Sequence, residues 1–405
     1  MEEENELLVH YWQLPEELFV SLKDEFHNRL CNKVQAFTGH YYKNCFYKVL
    51  NCPKWHAQRL FTKFNRMTIR ELEILREFTN ISREEIEINI DSLGNHEDGT
   101  IIINPKLPFH LKNIFYVASH LMFDGSFRNK KGGYFYAHTI DLVEYHKNRL
   151  NYFGEVPINF ITNENQLYFS HTIGYIASKI LEIQDFRSLK VFLSEKFKNL
   201  TKQHKILLDE FVKAMIIDEG AIDDKIRIEL GDNERLIRDI YEVVSRYYPL
   251  NPLSSRIRDR YFLENRDWDY KNKKSWKIEF KAISFTLLYK SISPLPIGYK
   301  QRSLDGLNDR ANRKWFKRRN GETKRLIVKS LLNESKSVLD LSYELYVQMS
   351  IIRAHLKTKP NINSSLIGLG IIGKVDEIVL LRGCYSKTDI YGIIDKKKAE
   401  DYIKS

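Results

Sequence analysis

The sequence predicts an α+β protein whose centre is one structural unit, α-β-β-α-β-β-α, that occurs twice in succession. Three observations support this prediction. An apolar helical segment ends in Phe-Asp-Gly at residues 123–125, and a second ends in Asp-Glu-Gly at residues 218–220. The same order of strand-like and helix-like patterns follows each segment. Hydrophobic residues make up 43% of the chain, as in proteins with packed cores.

The 405 residues divide into three predicted regions. Residues 1–99 have a helical pattern that ends in a polar, glycine-containing stretch. Residues 100–298 contain the two repeats, the first at about 100–200 and the second at about 201–298. Residues 299–405 open with a basic connector and continue as helices followed by a strand pair. We therefore expect a repeated core with a smaller region on each side.

Each element of the repeat is predicted from its hydrophobic period, which is about 3.6 residues for a helix and 2 for a strand. The first copy comprises a helix from residue 113, strands at 126–128 and 134–139, a helix at 140–153, strands at 157–161 and 166–170, and a helix at 173–183. The second comprises a helix from residue 207, strands at 221 and 225–230, a helix at 234–248, a strand at 276–282 and a helix at 284–292.

The strands of the second copy alternate between apolar and charged side chains. Apolar residues at 226, 228 and 230 alternate with Lys225, Arg227 and Glu229. Such alternation packs one face of a sheet and leaves the other in solvent. A basic solvent-facing sheet can lie along a groove of DNA, and an ordinary solvated face is the alternative. The candidate DNA contacts on the sheets are Lys131, Lys225, Arg227, Lys277 and Lys281.

The charge of the chain favours a polyanionic partner. It has 64 Lys and Arg against 53 Asp and Glu, a formal net charge of +11. This charge suits nucleic acid, although a solvated lysine-rich surface would have the same composition. No apolar run reaches the roughly 18 residues of a membrane span, and the first residues are acidic, unlike a secretory signal. We expect a cytoplasmic protein, associated with the nucleoid if the host is a prokaryote.

The four cysteines are expected to be free thiols in a reducing compartment. They form no Cys-x-x-Cys pair. Cys52 and His56 would supply half of a zinc site, but the sequence offers no second half.

Two nine-residue strings carry the most specific signal. Residues 117–125 are Val-Ala-Ser-His-Leu-Met-Phe-Asp-Gly, and residues 212–220 are Val-Lys-Ala-Met-Ile-Ile-Asp-Glu-Gly. Both resemble the LAGLIDADG motif, and the resemblance covers the whole middle region. In the LAGLIDADG family the last acid of each motif binds metal and is catalytic. The resemblance therefore implies that Asp124 and Glu219 are catalytic, and that with Gly125 and Gly220 they mark the metal site.

The small residues of the two motifs have a physical interpretation. Ala118, Ser119 and Ala214 have short side chains, which let two crossed helices approach closely. Gly125 and Gly220 follow the predicted helix ends, where a left-handed C-cap favours glycine. The motif thus predicts two helices that cross and then stop.

Crossed helices would bring Asp124 and Glu219 close together. Two carboxylates at the negative ends of two helix dipoles resist remaining ionised unless a cation joins them. Hard oxygen ligands with few other protein donors suit Mg²⁺, with Mn²⁺ as the other candidate. The resemblance further implies that both strands of double-stranded DNA are hydrolysed to leave staggered ends.

The motifs also depart from the family pattern. Met122 replaces a frequent acid, His120 replaces an apolar residue, and Lys213 replaces a small one. Our first hypothesis is a monomeric, Mg²⁺-dependent homing endonuclease with internal pseudo-two-fold symmetry. The alternative is a catalytically inactive transcription regulator that uses a LAGLIDADG fold. An RNA-splicing maturase is a third.

The N-terminal region resembles a degenerate helix-turn-helix at residues 49–61. Pro53 suits a first helical turn, because its missing N–H costs nothing there. Lys54 and Arg59 are then candidate DNA contacts. A plain helical subdomain is the alternative.

The C-terminal region resembles a winged helix-turn-helix. Its predicted elements are helices at 325–332, 338–345 and 350–357, and wing strands at 377–381 and 388–393. Ser350 suits the N-cap of the third helix, which would leave Arg353, His355 and Lys357 to contact DNA. A winged helix used for protein contacts is the alternative.

The connector at residues 300–325 is strongly basic and includes Lys317, Arg318 and Arg319. Such a segment can follow a phosphate backbone and make binding sensitive to salt, or it can be a solvated linker.

No nucleotide cofactor is expected. The glycine-rich stretch at 368–374 follows no strand of a βαβ unit and has Val375 where a phosphate-binding loop needs Ser or Thr.

Overall fold

The computed structural model of the protein contains helices and small antiparallel sheets, which confirms the α+β class. None of the helices within the described ranges is long and apolar enough to cross a membrane. The structure describes every residue except 1–6, 40–43, 62–65, 96–100, 129–131, 187–189, 232, 259–272, 313–320, 346, 348, 357–364, 380–386 and 405.

The chain forms two compact units. The first comprises Met1–Asp218 and Asn233–Val243, and the second comprises Glu219–Asp232 and Val244–Ser405. The boundary between them falls inside the second predicted repeat, directly after Asp218.

The N-terminal part of the first unit is not helical throughout, contrary to the prediction for residues 1–99. Four of its strands form an antiparallel sheet in the order β3-β2-β4-β5, and β1 pairs with β6. These strands have two to five residues, too few for a period-two pattern to stand out. The elements are β1 Leu8–Val9, β2 Phe19–Leu22, α1 Asp24–Thr38, α2 Asn44–Leu50, α3 Lys54–Leu60, β3 Met67–Thr68, α4 Ile69–Thr79, α5 Arg83–Glu87, β4 Ile90–Gly94, β5 Ile101–Ile103 and β6 Phe109–His110.

The first repeat follows in the predicted order of elements. Its four strands form one antiparallel sheet in the order β7-β8-β10-β9. The elements are α6 Leu111–Met122, β7 Gly125–Arg128, β8 Gly132–Tyr136, α7 Ile140–Leu150, β9 Ile158–Ile161, β10 Gln166–Phe169 and α8 His171–Ile180, after which α9 Glu195–Gln203 leads to α10 Lys205–Glu219.

The second repeat begins with α10 and has the same order of elements. Its sheet has the strand order β11-β12-β14-β13, which matches the first sheet position by position. The sequence pattern did not predict β13, which lies in a polar segment. The elements after α10 are β11 Gly220–Ile222, β12 Ile226–Leu230, α11 Glu234–Ser245, β13 Ser254–Arg258, β14 Lys273–Glu279 and α12 Phe285–Ile292.

Helix α6 lies in the core of the first unit and is buried on nearly every side, including at Ala118 and Ser119. The Ser119 hydroxyl is satisfied within the helix, since it donates to the Phe115 carbonyl at 2.6 Å. The rings of Phe123 and Phe211 lie 5.5 Å apart and join α6 to α10. Burial of this extent stabilises the fold by roughly 1.5–3 kcal/mol for each large apolar side chain.

The C-terminal elements of the second unit have the order predicted for a winged helix. Strand β15 pairs with β17, and β17 pairs with β16. The prediction that Ser350 caps the third helix is wrong, since Ser350 lies inside that helix. Ile352 and Leu356 of the same helix are buried, and Ile351 is exposed. The elements are α13 Gly298–Asn312, α14 Glu322–Asn333, β15 Lys336–Ser337, α15 Val338–Leu345, α16 Met349–Leu356, β16 Ile372–Val379, β17 Lys387–Ile393 and α17 Lys396–Lys404.

Candidate functional site

Asp124 lies between the first motif helix and its sheet. Helix α6 ends at Met122, and the Asp124 carbonyl accepts a hydrogen bond from the Tyr136 N–H of β8 at 3.0 Å. The Asp124 side chain is 33% exposed, and His138 Nε2 lies 3.9 Å from its carboxylate. The strand therefore fixes the backbone of Asp124, while solvent reaches its carboxylate.

Gly125 is not a left-handed cap, so that prediction is wrong. It begins β7 with a backbone outside the left-handed region, and Gly220 likewise begins β11, paired with Ile228. A Cβ at position 125 would lie 2.7 Å from the His120 carbonyl oxygen and 2.8 Å from the Leu121 Cα. Glycine is needed there because the chain turns back against its own helix.

Glu219 occupies a matching position in the second repeat. It is the last residue of α10, is partly exposed and precedes the first strand of the second sheet. Glu219 belongs to the second compact unit, whereas Asp218 belongs to the first. Each motif acid thus stands at the junction between a buried helix and a four-stranded sheet.

A buried hydrogen bond joins the two motif helices within the first unit. His120 Nδ1 of α6 lies 2.8 Å from Asp218 Oδ2 and 3.0 Å from Asp218 Oδ1. Both side chains are only 2% exposed. Polar groups buried to this extent are stable only when each is hydrogen-bonded.

His120 belongs to a larger buried polar cluster. Its ring lies 4.8 Å from that of His146, whose Nδ1 is hydrogen-bonded to the Tyr116 hydroxyl. Burial lowers the pKa of His146 well below its usual value, and His120 lowers it further. Because burial raises the pKa of Tyr116, its hydroxyl keeps its proton and donates to the neutral histidine. Among the described residues, neither His120 Nε2 nor His146 Nε2 has a hydrogen-bond partner.

The polar face of the first sheet is aromatic and amide-bearing. The Tyr168 hydroxyl donates to Gln166 Oε1 at 2.6 Å, and Gln166 Nε2 donates to the Tyr136 hydroxyl at 3.1 Å. The rings of Tyr134 and Tyr168 lie 5.3 Å apart. The sequence did not predict these residues as DNA contacts, because only basic side chains were considered as such. Tyr134 and Tyr136 do follow the two-residue period of a strand, which places them on one face. Lys131, predicted here, lies outside the described residues.

On the polar face of the second sheet, three of the predicted basic residues form ion pairs. Lys225 Nζ lies 2.8 Å from Glu279 Oε1, and Lys277 forms an ion pair with the other oxygen of the same carboxylate. Arg227 pairs with Asp223 at 2.8 Å. These three predicted DNA contacts therefore already have carboxylate partners.

Glu279 provides a test of these ion pairs. Burial alone would raise its pKa, but hydrogen bonds from Lys225 and Lys277 hold the pKa of Glu279 at about 2. A carboxyl whose pKa is lowered by folding stabilises the protein above its unfolded pKa of about 4.3, and this stabilisation is lost as the pH falls towards 2. Glu279→Gln should lower the free energy of unfolding at pH 7 by on the order of 2 kcal/mol, after allowance for the exposure of Lys225. Urea unfolding at pH 7 and pH 3 measures this, and a deficit that persists undiminished at pH 3 would contradict it.

The predicted contacts in the N-terminal region are accessible. Lys54 and Arg59 are exposed on α3, and Lys54 Nζ lies 5.7 Å from the centre of the Tyr47 ring. Pro53 directly precedes α3 instead of occupying its first turn. Helices α2 and α3 thus form a helix-turn-helix-like pair with a three-residue turn.

Cys31 and Cys52 are free thiols, as expected. His56, the other half of the considered zinc pair, has its Nε2 2.5 Å from Glu71 Oε1. This histidine is therefore engaged in a hydrogen bond of the N-terminal region.

The remaining predicted DNA contacts differ in accessibility. Arg353 is exposed on α16, and Lys281 is exposed after the second sheet. Burial, together with the nearby Lys324, lowers the pKa of His355 below its usual value, so this residue is neutral at pH 7. The remaining predicted contacts lie outside the described residues: Lys317, Arg318, Arg319 and Lys357.

Comparison with known proteins suggests no function for the chain. The chain matches no protein-family model, and no curated protein matches it.

Proposed function

We propose that the chain is a sequence-specific double-stranded DNA endonuclease of the LAGLIDADG type, a homing endonuclease. The supporting observation is the repeat: two motif helices each lead through an acidic residue into a sheet, and the two sheets have the same strand order. Duplex DNA is itself pseudo-symmetric, so a duplicated unit suits a partner with two similar strands.

Asp124 and Glu219 are the proposed metal ligands. Both carboxylates are partly exposed, so both can bind an ion that keeps several of its waters. Hard carboxylate oxygens are the donors that Mg²⁺ and Mn²⁺ prefer, so the residues present fit such an ion. The ion, when bound, would supply Lewis-acid stabilisation of the charge that develops on the phosphodiester. The β8 hydrogen bond to the Asp124 backbone would hold that carboxylate in place.

The polar sheet faces are the proposed surfaces for base contacts. Among the described residues, Gln166 has bonds only to Tyr136 and Tyr168, which leave one amide hydrogen and one lone pair for a bidentate contact with adenine. Lys54, Arg59 and Arg353, all exposed, suit phosphate contacts from the flanking regions. Lys225 and Lys277 share the Glu279 carboxylate, whose negative charge offsets part of the positive charge that they bring to this face.

A transcription regulator without nuclease activity is the second candidate. It is favoured by the C-terminal winged-helix order of elements, which has its own buried core and exposes Arg353. This region could bind DNA without any contribution from the motif acids.

A cleavage selection on a randomised duplex library distinguishes the two candidates. The full chain is incubated with the library in Mg²⁺ and, in parallel, in EDTA, and cut and merely bound molecules are sequenced separately. The endonuclease proposal predicts a discrete set of sequences cut only with Mg²⁺. Specific binding with no metal-dependent cut would instead support the regulator.

A further inference from the structure

We infer that His120 is a positioning residue for Glu219: its hydrogen bond to Asp218 fixes the rotation of the last turn of α10. This inference rests on the proposed nuclease function, since it gives Glu219 a task that requires accurate placement. Neither His120 nor Asp218 is itself a proposed metal ligand.

The geometry of a helix links the two neighbouring acids. Successive residues of an α-helix are turned by about 100° around its axis. Asp218 and Glu219 both lie within α10, so a side chain that fixes the direction of Asp218 also fixes that of Glu219. The bond from His120 Nδ1 provides this constraint from a separate helix.

The choice of a buried polar contact supports a role in fixing one conformation. Two buried polar groups lose their hydration, and apolar residues of similar volume commonly stabilise such an interface as well or better. An apolar interface, however, permits several rotations of one helix against another. The His120–Asp218 bond permits only one rotation of α10 against α6. Buried polar residues act in the same way when they set the register of paired helices.

His120 itself is held by the surrounding rings. Tyr116 lies 4.7 Å from its ring centre, His146 4.8 Å and Phe135 5.6 Å. These neighbours leave its Nδ1 directed at Asp218. The packed rings of the first repeat therefore hold His120, and His120 in turn holds the end of α10 through Asp218.

Two amide substitutions test the positioning role. His120→Asn places a donor near the position of Nδ1 and should preserve the bond to Asp218, whereas His120→Gln places its donor near Nε2 and should lose it. Both variants keep a polar side chain, so differences in burial are small. Tyr116→Phe is the matched control, because it removes a buried hydrogen bond of the same cluster without touching Asp218.

The readouts are the Mn²⁺ affinity of the full chain, from the electron paramagnetic resonance signal of free Mn²⁺, and the cutting rate of each strand of a selected duplex. Glu219→Gln identifies the part of the Mn²⁺ signal that depends on Glu219. His120→Gln should weaken that part about tenfold and slow one strand more than the other, as loss of a residue that orients a metal ligand does. His120→Asn and Tyr116→Phe should stay near the wild type.

The outcomes separate the two proposals. If the wild type binds Mn²⁺ and cuts, but the Asn and Gln variants match each other, the positioning role is wrong and the nuclease stands. Equal loss in His120→Gln and Tyr116→Phe would show that His120 contributes only to general packing. If the wild type neither binds Mn²⁺ nor cuts any duplex, the nuclease proposal fails and the positioning role fails with it.

Discussion

Asp124→Asn is expected to slow cleavage of a selected duplex by about 10³-fold at saturating Mg²⁺. The substitution keeps the size of the side chain and removes the charge that is proposed to bind the ion. Loss of several kcal/mol of charge stabilisation corresponds to this factor, since each 1.36 kcal/mol is tenfold. DNA affinity measured in Ca²⁺ or EDTA should stay constant or rise, because a negative charge near the phosphates has been removed. Nicked and linear plasmid are quantified separately, so that the cut of each strand is measured.

Asp141→Asn is the matched control for this prediction. Asp141 is an exposed acid of the same repeat, in the first turn of α7, and has no proposed role. Its replacement should leave the rates of both cuts unchanged within about twofold, as expected for a surface residue away from the site. Cleavage by Asp124→Asn at the wild-type rate would remove Asp124 from the proposed site.

The sequence predicted the repeated elements well because their signals are long and periodic. Helices α6 and α10 are apolar over three or more turns, and β12 and β14 alternate over at least five residues. The N-terminal sheet was missed because its strands are short and pair across long separations, as Phe19 does with Gly94. Pairing between distant segments leaves no local periodic trace.

The candidate site was predictable only in part. The motif supplied Asp124 and Glu219, but the charge pattern on the strands did not reveal that Glu279 pairs with two of the predicted lysines. The partner of His120 was also out of reach, because Asp218 lies 98 residues away along the chain. A histidine in an apolar helix shows that a polar partner is needed, and only the fold shows which one.

Gly125→Ala is expected to lower the free energy of unfolding by about 3 kcal/mol or more. The added Cβ would meet three backbone atoms: the His120 oxygen at 2.7 Å, the Leu121 Cα at 2.8 Å and the Tyr134 oxygen at 3.0 Å. None can move without displacing the end of α6 or strand β8. Urea unfolding of the full chain, followed by tryptophan fluorescence, measures the change. Gly231→Ala should be nearly neutral, because no atom of the described residues lies within 4 Å of its Cβ position.

Replacing Gly125 with asparagine distinguishes a glycine required by close backbone contact from a glycine required by a left-handed cap. Asparagine tolerates left-handed backbone better than alanine does, so a cap would make Gly125→Asn milder than Gly125→Ala. Close contact predicts the reverse or no difference, because the larger side chain meets the same backbone atoms. Gly370 supplies the opposite case: its φ is +66°, and the nearest atom to its Cβ position is Lys398 Nζ at 3.6 Å. There Asn should be tolerated better than Ala. If both glycines showed the same preference, the turn from α6 into β7, and with it the placement of Asp124, would have to differ from that described.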